Sequence, residues 1–171
     1  MSEPSEQPTA ARQWLPRLLS GQPHQVIGGP ADPYLRRWYV IPRNPVLNVY
    51  VHQFLRSDDD RALHDHPWWF VSLILKGGYN EIAEKGNRTR RAGSIAFRPA
   101  TWRHRVVLWI TDEDDGRSNC RQLPCWTLIV TGRRSRTWGF WCKRQSPFLQ
   151  RVVGDRFVPW TQWGDAGCGE R

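Results

Sequence analysis

Three histidines have the residue type and the spacing of a metal site. His64 and His66 stand two residues apart in the segment HDHPW, and His104 opens a later hydrophobic run. On an extended segment, side chains two residues apart lie on the same face, so both rings face one way and Asp65 faces the other. Neutral imidazoles bind iron, zinc, copper, nickel or manganese, and three protein ligands leave coordination positions open. We therefore predict a metal site formed by His64, His66 and His104.

The elements that must hold these histidines are short β-strands. Runs of Val, Ile, Thr and aromatic residues follow one another from residue 38, separated by Gly, Pro and Asn turn signals. No long helical period lies between them, which indicates an antiparallel sandwich or barrel of eight or more strands. Strands are expected at 38–41, 46–55, 68–75, 79–84, 93–97, 104–110, 126–131, 137–142 and 152–158. Residues 12–20 are expected to form one or two helical turns, limited by Pro16.

The histidine-bearing region resembles the cupins, a family of small jelly-roll β-barrels with two sequence motifs. The first motif contains HxH between two glycines, and the second contains a glycine, a proline and a histidine in fixed register. The matching positions are His64 and His66, Gly77 or Gly78, Gly93, Pro99 and His104. The resemblance covers roughly residues 46–131 and implies an all-β, single cupin-type jelly-roll barrel. The segment RALHDHPW and a later WGF are also similar to segments of small, uncharacterised bacterial and phage proteins. This similarity does not indicate a substrate.

These observations predict a division of the chain. The polar, aperiodic residues 1–12 are expected to form a disordered lead. A short N-terminal helix or loop with a first strand follows at 13–45, then the cupin barrel at 46–160 and a C-terminal tail at 161–171. Pairing of two chains through edge strands is common in the family, so the resemblance implies a homodimer.

Departures from the motifs concern the ligands above all. The Glu that ordinarily follows the HxH pair falls where this chain has Phe70 or Val71, and Asp58, Thr101 and Leu108 replace other motif residues. The resemblance therefore implies a three-histidine site without a carboxylate, similar to that of cupin dioxygenases that oxidise thiols or cleave diketones. It implies Fe2+ as the cofactor, with zinc, manganese, nickel and copper left open, and O2 and a small anionic molecule as substrates.

Four residues near the histidines are candidates for supporting roles. Arg98, which precedes the loop carrying His104, and Arg61 are candidates for binding the substrate, because Arg pairs with carboxylate or phosphate in a bidentate manner. Trp102 is a third candidate, since aromatic walls exclude water from a metal pocket. His52, on the preceding strand, is either a fourth ligand, a group hydrogen-bonded behind the ligands, or an ordinary histidine of the barrel interior.

Charge and composition restrict the class of partner. The 171 residues carry a net charge of +9, and the stretches 84–105 and 133–151 hold thirteen basic residues against one acidic residue. A positive surface attracts nucleic acid or small anions. The chain opens without a secretory signal, has no apolar run long enough for a membrane span and has no CxxC pair among its four cysteines. We therefore expect a cytoplasmic protein with reduced thiols.

Three functions remain open at this point. The first is a mononuclear non-haem iron oxygenase that acts on a small anionic substrate. The second is a non-catalytic cupin that binds a ligand or a structural metal, with nucleic acid as a possible partner because of the Arg-rich stretches. The third is a cupin isomerase that acts on a sugar phosphate, although no paired general acid and base is evident in the sequence.

Overall fold

Segments rich in β-branched and aromatic residues form the strands of this protein, and Gly, Pro and Asn residues mark the turns between them. The computed structural model describes residues 9–29, 31–58, 62–111, 121–145, 152–164 and residue 168. Within these residues the elements are α1 (Thr9–Leu19), β1 (Gln25–Ile27), β2 (Leu35–Tyr39), β3 (Asn48–Phe54), β4 (Leu63–His64), β5 (Phe70–Lys76), β6 (Gly78–Ala83), β7 (Arg88–Arg91), β8 (Ile95–Arg98), β9 (His104–Leu108), β10 (Ile110–Thr111), β11 (Arg121–Gln122), β12 (Cys125–Thr131), β13 (Gly139–Gln145), β14 (Val152–Pro159) and a 3-10 turn at Trp160–Gln162.

Two six-stranded antiparallel sheets carry the fold. One sheet has the order β1-β2-β3-β12-β5-β8 and the other has the order β14-β13-β4-β9-β6-β7, while β10 and β11 form a separate ribbon. Strands far apart in sequence lie side by side, as β12 does between β3 and β5, because the chain passes repeatedly from one sheet to the other. This arrangement confirms the predicted all-β jelly roll.

The core lies between the inward faces of the two sheets. Side chains of β12 alternate between buried and half-buried along its whole length, as a strand with one face on a core requires. One cluster of buried side chains consists of Ile74, Tyr79, Val106, Leu108 and Cys125. A second cluster consists of Tyr50, Phe70 and Ile129, and Trp68 packs against it. This second cluster borders the histidines, since the Phe70 ring contacts the ring of His66.

The N-terminal part of the fold differs in detail from the prediction. The helix α1 begins at Thr9 and contains Pro16, so it is longer than one or two turns and starts before residue 13. The strands β1 and β2 extend the first sheet with residues that precede position 46. The strand β7, which pairs with β6, was not predicted, because it directly follows the turn residues around Gly86. Residues 1–8, the larger part of the expected disordered lead, lie outside the described residues.

The cysteines correct one expectation. Cys142 on β13 and Cys168 form a disulfide, so the prediction of reduced thiols is wrong for this pair, which the sequence separates by 26 residues. Cys125 is a free, buried thiol, and burial raises its pKa to about 11. Among the described residues, no helix is long and apolar enough to cross a membrane.

Candidate metal centre

Strand pairing brings the three predicted histidines together. The strand β4 pairs with β9 so that His64 lies directly opposite His104. His66 follows two residues later, and its backbone N–H donates to the carbonyl of Ala100 at 3.2 Å. One ring nitrogen from each histidine lies within 4.8 Å of the others, and the Nε2 atoms of His66 and His104 are 2.9 Å apart. The structure therefore supplies the convergence of imidazoles that the sequence predicts.

Asp65 faces away from this cluster and fixes the HxH segment in place. Its carboxylate is fully buried and accepts hydrogen bonds from Arg136 Nη1 at 2.7 Å, the Gly139 N–H at 3.0 Å and Trp141 Nε1 at 3.0 Å. The backbone N–H of Asp65 also donates to the carbonyl of Gly139 at 3.1 Å. Asp65 is thus an anchor between the HxH segment and β13, and it contributes no atom to the histidine cluster.

Two histidines of the cluster have a carboxylate behind the ring. Oε1 of Glu81 lies 3.1 Å from Nδ1 of His104, and Oδ2 of Asp58 lies 3.8 Å from Nδ1 of His64. Asp58 is itself held by the N–H of Val106 at 2.5 Å and by the hydroxyl of Tyr34. Carboxylates behind metal-binding imidazoles fix the ring orientation and the tautomer and make the opposite nitrogen a better ligand. The contact with Glu81 therefore leaves Nε2 as the ligand atom of His104, whereas Asp58 lies too far from His64 for a hydrogen bond and acts on that ring through its charge.

Glu81 is the residue of this site that the sequence analysis missed. It is 1% exposed and accepts hydrogen bonds from Arg90 Nε at 2.9 Å, Arg98 Nε at 2.6 Å and Trp102 Nε1 at 3.0 Å, besides its contact with His104. Burial alone would raise the pKa of Glu81, but hydrogen bonds with His104 and Arg98 hold that pKa well below its usual range. The sequence did contain one indication of this role. Glu81 alternates with Tyr79 and Ala83 along β6, so all three side chains face the interior.

Burial keeps the rings of His64 and His66 neutral. It lowers the pKa of His64 to about 4, although the nearby charge of Asp58 acts in the opposite direction. Burial lowers the pKa of His66 well below its usual range as well, with His64 and His104 as further causes. At neutral pH these two rings have no proton to lose before they bind a cation, which favours metal binding.

An aromatic ring occupies the position where the motif carries a carboxylate. Phe70 is buried, and its ring centroid lies 4.7 Å from that of His66 and 5.9 Å from that of His104. The hydrocarbon edge of Phe70 offers no ligand atom and excludes water from this side. The donor set is therefore three imidazoles without a carboxylate, as the sequence departure indicates.

The remaining predicted site residues occupy different places. Arg98 lies in the interior, where its guanidinium binds Glu81 and lies over the ring of Trp102. Trp102 also donates to Glu81, so these two of the three predicted substrate-binding residues belong to the Glu81 network. His52 is buried on β3, lies outside the histidine cluster, and its Nε2 accepts a hydrogen bond from Arg37 Nε at 2.8 Å. Arg61 lies outside the described residues. Roles for Arg98, Trp102 and Arg61 in substrate binding stay predictions.

The chain is similar to several solved structures, and the descriptions of two of them name a cupin-2 domain or a double-stranded beta-helix domain. KdgF from Halomonas sp. is 16% identical over 63% of this chain and 87% of its own, with a TM-score of 0.45. A cupin-2 domain-containing protein from Shewanella frigidimarina is 14% identical over 57% of this chain and 79% of its own, with a TM-score of 0.42. A double-stranded beta-helix protein from Klebsiella pneumoniae is 16% identical over 66% and 88%, with a TM-score of 0.45. No family model and no curated protein matches the chain.

Proposed function

We propose that this protein is a metal-dependent oxygenase that acts with O2 on a small anionic substrate. His64, His66 and His104 would hold one divalent metal ion, Fe2+ in the first place, with zinc, manganese, nickel or copper as alternatives. The observation that carries the proposal is the convergence of three imidazoles, one buried and two partly buried, whose ring nitrogens lie within 4.8 Å of one another. The chain departs from the carboxylate-containing cupin motif at Phe70, which makes this set neutral.

The donor set fits such an ion on three independent features. The Nε2 atoms of His66 and His104 lie 2.9 Å apart, so both nitrogens point at one region. Glu81 and Asp58 stand behind His104 and His64, as carboxylates do behind metal-binding histidines. Burial removes the competing protons from His64 and His66.

The residues around the cluster would perform three tasks in the reaction. A bound iron(II) ion would supply a Lewis acid with open positions for an anion and O2, because neutral ligands leave its charge of two uncompensated. Phe70 and the cluster of Tyr50 and Ile129 beside it keep water away from the histidines. Glu81 holds the ring of His104 and keeps its Nδ1 engaged.

Three of the thirteen basic residues in the two stretches face carboxylates inside the protein and so give less support to nucleic-acid binding. Arg90 and Arg98 bind Glu81, and Arg136 binds Asp65. These charges are compensated inside the protein, so they add little to a positive surface. We therefore keep the small anion as the proposed partner.

Oxygen uptake tests the proposal. The chain is loaded anaerobically with Fe2+ and offered small thiols, diketones and carboxylates in an oxygen electrode, with product analysis. With at least one of these compounds, we expect oxygen uptake faster than iron autoxidation. The His104→Ala chain should lose this uptake. His24→Ala is the matched control, because that ring bonds the carbonyl of Trp14 and lies outside the cluster. Turnover that persists in His104→Ala, or metal-dependent turnover without oxygen uptake, would contradict the proposal.

A further inference from the structure

Besides the arginines that bind Glu81 and Asp65, Arg37 also points into the barrel interior. In the antiparallel pairing of β2 with β3, Arg37 lies directly opposite His52, and Tyr39 lies opposite Tyr50. Directly opposed residues of neighbouring strands project from the same face of a sheet. Since Tyr50 and His52 are buried in the interior, the Arg37 side chain also points inward, and it is only partly exposed.

All the contacts of Arg37 are made with neutral groups. Its Nε donates to Nε2 of His52 at 2.8 Å, its Nη1 donates to Oε1 of Gln25 at 3.1 Å, and its guanidinium carbon lies 5.0 Å from the ring centroid of Tyr50. Within the part of the chain that the structure describes, no carboxylate lies within 4.0 Å of its nitrogens. These contacts use two of the five guanidinium N–H groups, and those of Nη2 remain available.

This arginine therefore differs from the other inward-facing arginines. Arg98 and Arg90 share the carboxylate of Glu81, and Arg136 binds that of Asp65. A cation taken out of water without a counter-charge is unfavourable, and a protein retains one where a ligand supplies the charge. Burial lowers the pKa of Arg37, as expected for a guanidinium that lacks an anionic partner.

The same face of the sheet carries an unsatisfied hydroxyl, two strands away from Arg37. Thr127 on β12 lies directly opposite His52 on β3, so its side chain faces the same interior. The hydroxyl is buried, the residue is 1% exposed, and Oγ1 has no hydrogen-bond partner among the described residues. Buried hydroxyls are normally paired, so this atom marks a place where a polar ligand would add a contact.

This interior also extends toward the histidine cluster. The guanidinium of Arg37 lies over the ring of Tyr50, and Tyr50 belongs to the buried cluster that contains Phe70. The Phe70 ring contacts the ring of His66, so Tyr50 and Phe70 connect Arg37 with the histidines.

We propose that Arg37 anchors the carboxylate of a small substrate, with Thr127 as a further donor and the histidine cluster on the other side. The inference rests on the proposed function for its claim that the bound anion is a substrate. The planar fork of a guanidinium matches the two oxygens of a carboxylate. His52 is a positioning residue, because its Nε2 fixes Nε of Arg37 and so orients the free edge. Arg37 thus takes the part that the sequence analysis gave to Arg98.

Acetate is the probe that tests this site in the full chain without metal. Binding is followed by NMR through the Nε–H resonance of Arg37 in protein with labelled arginine, at constant chloride. Acetamide, the uncharged analogue, and inorganic phosphate are titrated in parallel. We expect saturable binding of acetate, no saturable binding of acetamide and a weaker effect of phosphate.

Two variants assign the binding to the residue. Arg37→Gln should weaken acetate binding roughly tenfold or more, the size of one charge-assisted contact. Arg36→Gln is the matched control, since Arg36 is exposed on the same strand and bonds Gln53 at 3.4 Å. It should leave the dissociation constant unchanged. If Arg37→Gln does not fold, the shift of the Arg37 resonance in the natural chain decides the question alone.

Three results would overturn the inference. They are acetate affinity unchanged in Arg37→Gln, a natural chain without saturable acetate binding, and binding of phosphate or acetamide as tight as that of acetate. Since no metal is present, these results are independent of the proposed function. Failure of acetate binding beside oxygen uptake by the iron-loaded chain removes the inference only. Acetate binding through Arg37 in a chain that never consumes oxygen supports the anion site and removes the oxygenase.

Discussion

At the scale of single residues, Glu81 organises the candidate site. Its carboxylate joins His104, the guanidinium groups of Arg90 and Arg98, and the indole N–H of Trp102 in one buried network. A carboxylate with so many donors remains ionised, and it compensates the two arginines while it orients the histidine. The single side chain therefore serves both stability and the geometry of the cluster.

Replacement of Glu81 tests both roles at once. We expect Glu81→Gln to lower the free energy of unfolding by about 3 kcal/mol, because it leaves Arg98 buried beside a neutral amide. We also expect metal affinity to fall roughly tenfold or more. Urea unfolding and competition with a metal-binding dye measure the two effects. Glu84→Gln is the control, since Glu84 is exposed and pairs with Arg103 at 3.2 Å, and it should change stability by less than about 1 kcal/mol. Equal effects of the two substitutions would contradict this role.

At the scale of elements, the attachment of the HxH segment to β13 decides where the rings lie. The strand β4 has only two residues, so its pairing with β9 and β13 is brief. Asp65 adds three side-chain hydrogen bonds to this attachment, and two of them reach the backbone and the indole of β13. The side-chain hydrogen bonds of Asp65 thus take the place of the backbone hydrogen bonds that a longer β4 would form.

Asp65→Ala is expected to weaken this attachment. The substitution leaves the buried N–H of Gly139 without its acceptor and Arg136 without its counter-charge, so we expect a loss of about 3 kcal/mol in unfolding free energy. Urea unfolding of the metal-free chain measures it. Asp155→Ala removes an exposed carboxylate that pairs with Arg103 at 2.9 Å, and it should cost less than about 1 kcal/mol. A loss below that limit for Asp65→Ala would show that strand pairing alone holds the segment.

Comparison of prediction and structure shows which parts of the site a sequence reveals. The convergence of the HxH pair with His104 was predictable, because the two motifs encode strands that pair in a known register. Glu81 and Asp58 were not, since their partners lie 23 and 6 residues away on other segments and the pairing of β6 with β9 has no local signature. The contact of Arg98 with Glu81 was not predictable for the same reason, because nothing near Arg98 in sequence shows that Glu81 faces it.

At the scale of the whole molecule, the disulfide ties the C-terminal residues to the second sheet. Cys168 is bound to Cys142 on β13, and Arg156 Nη2 donates to the carbonyl of Cys168 at 2.5 Å. Trp163 stacks on Phe140 with ring centroids 3.9 Å apart, and Phe140 in turn contacts the ring of His64. Trp163 therefore packs over the side of the barrel that carries the histidine cluster.

The disulfide makes a direct prediction for the purified protein. Digestion without reductant should yield a peptide that links Cys142 and Cys168, identified by mass spectrometry. Reduction should lower the free energy of unfolding by about 3 kcal/mol, as expected for a loop of 26 residues. The Cys142→Ser/Cys168→Ser chain should have the lower stability and no response to reductant. Four free thiols in the oxidised sample would contradict the pairing.

The measurement that tests the central claim most directly is the metal content of the chain. After anaerobic loading with Fe2+ and removal of unbound ions, elemental mass spectrometry should find about one metal ion per chain, as a single three-histidine site requires. The His64→Ala/His66→Ala chain should hold none, and His24→Ala should hold as much as the natural chain. Metal content in the natural chain no higher than in the double variant would contradict the metal centre.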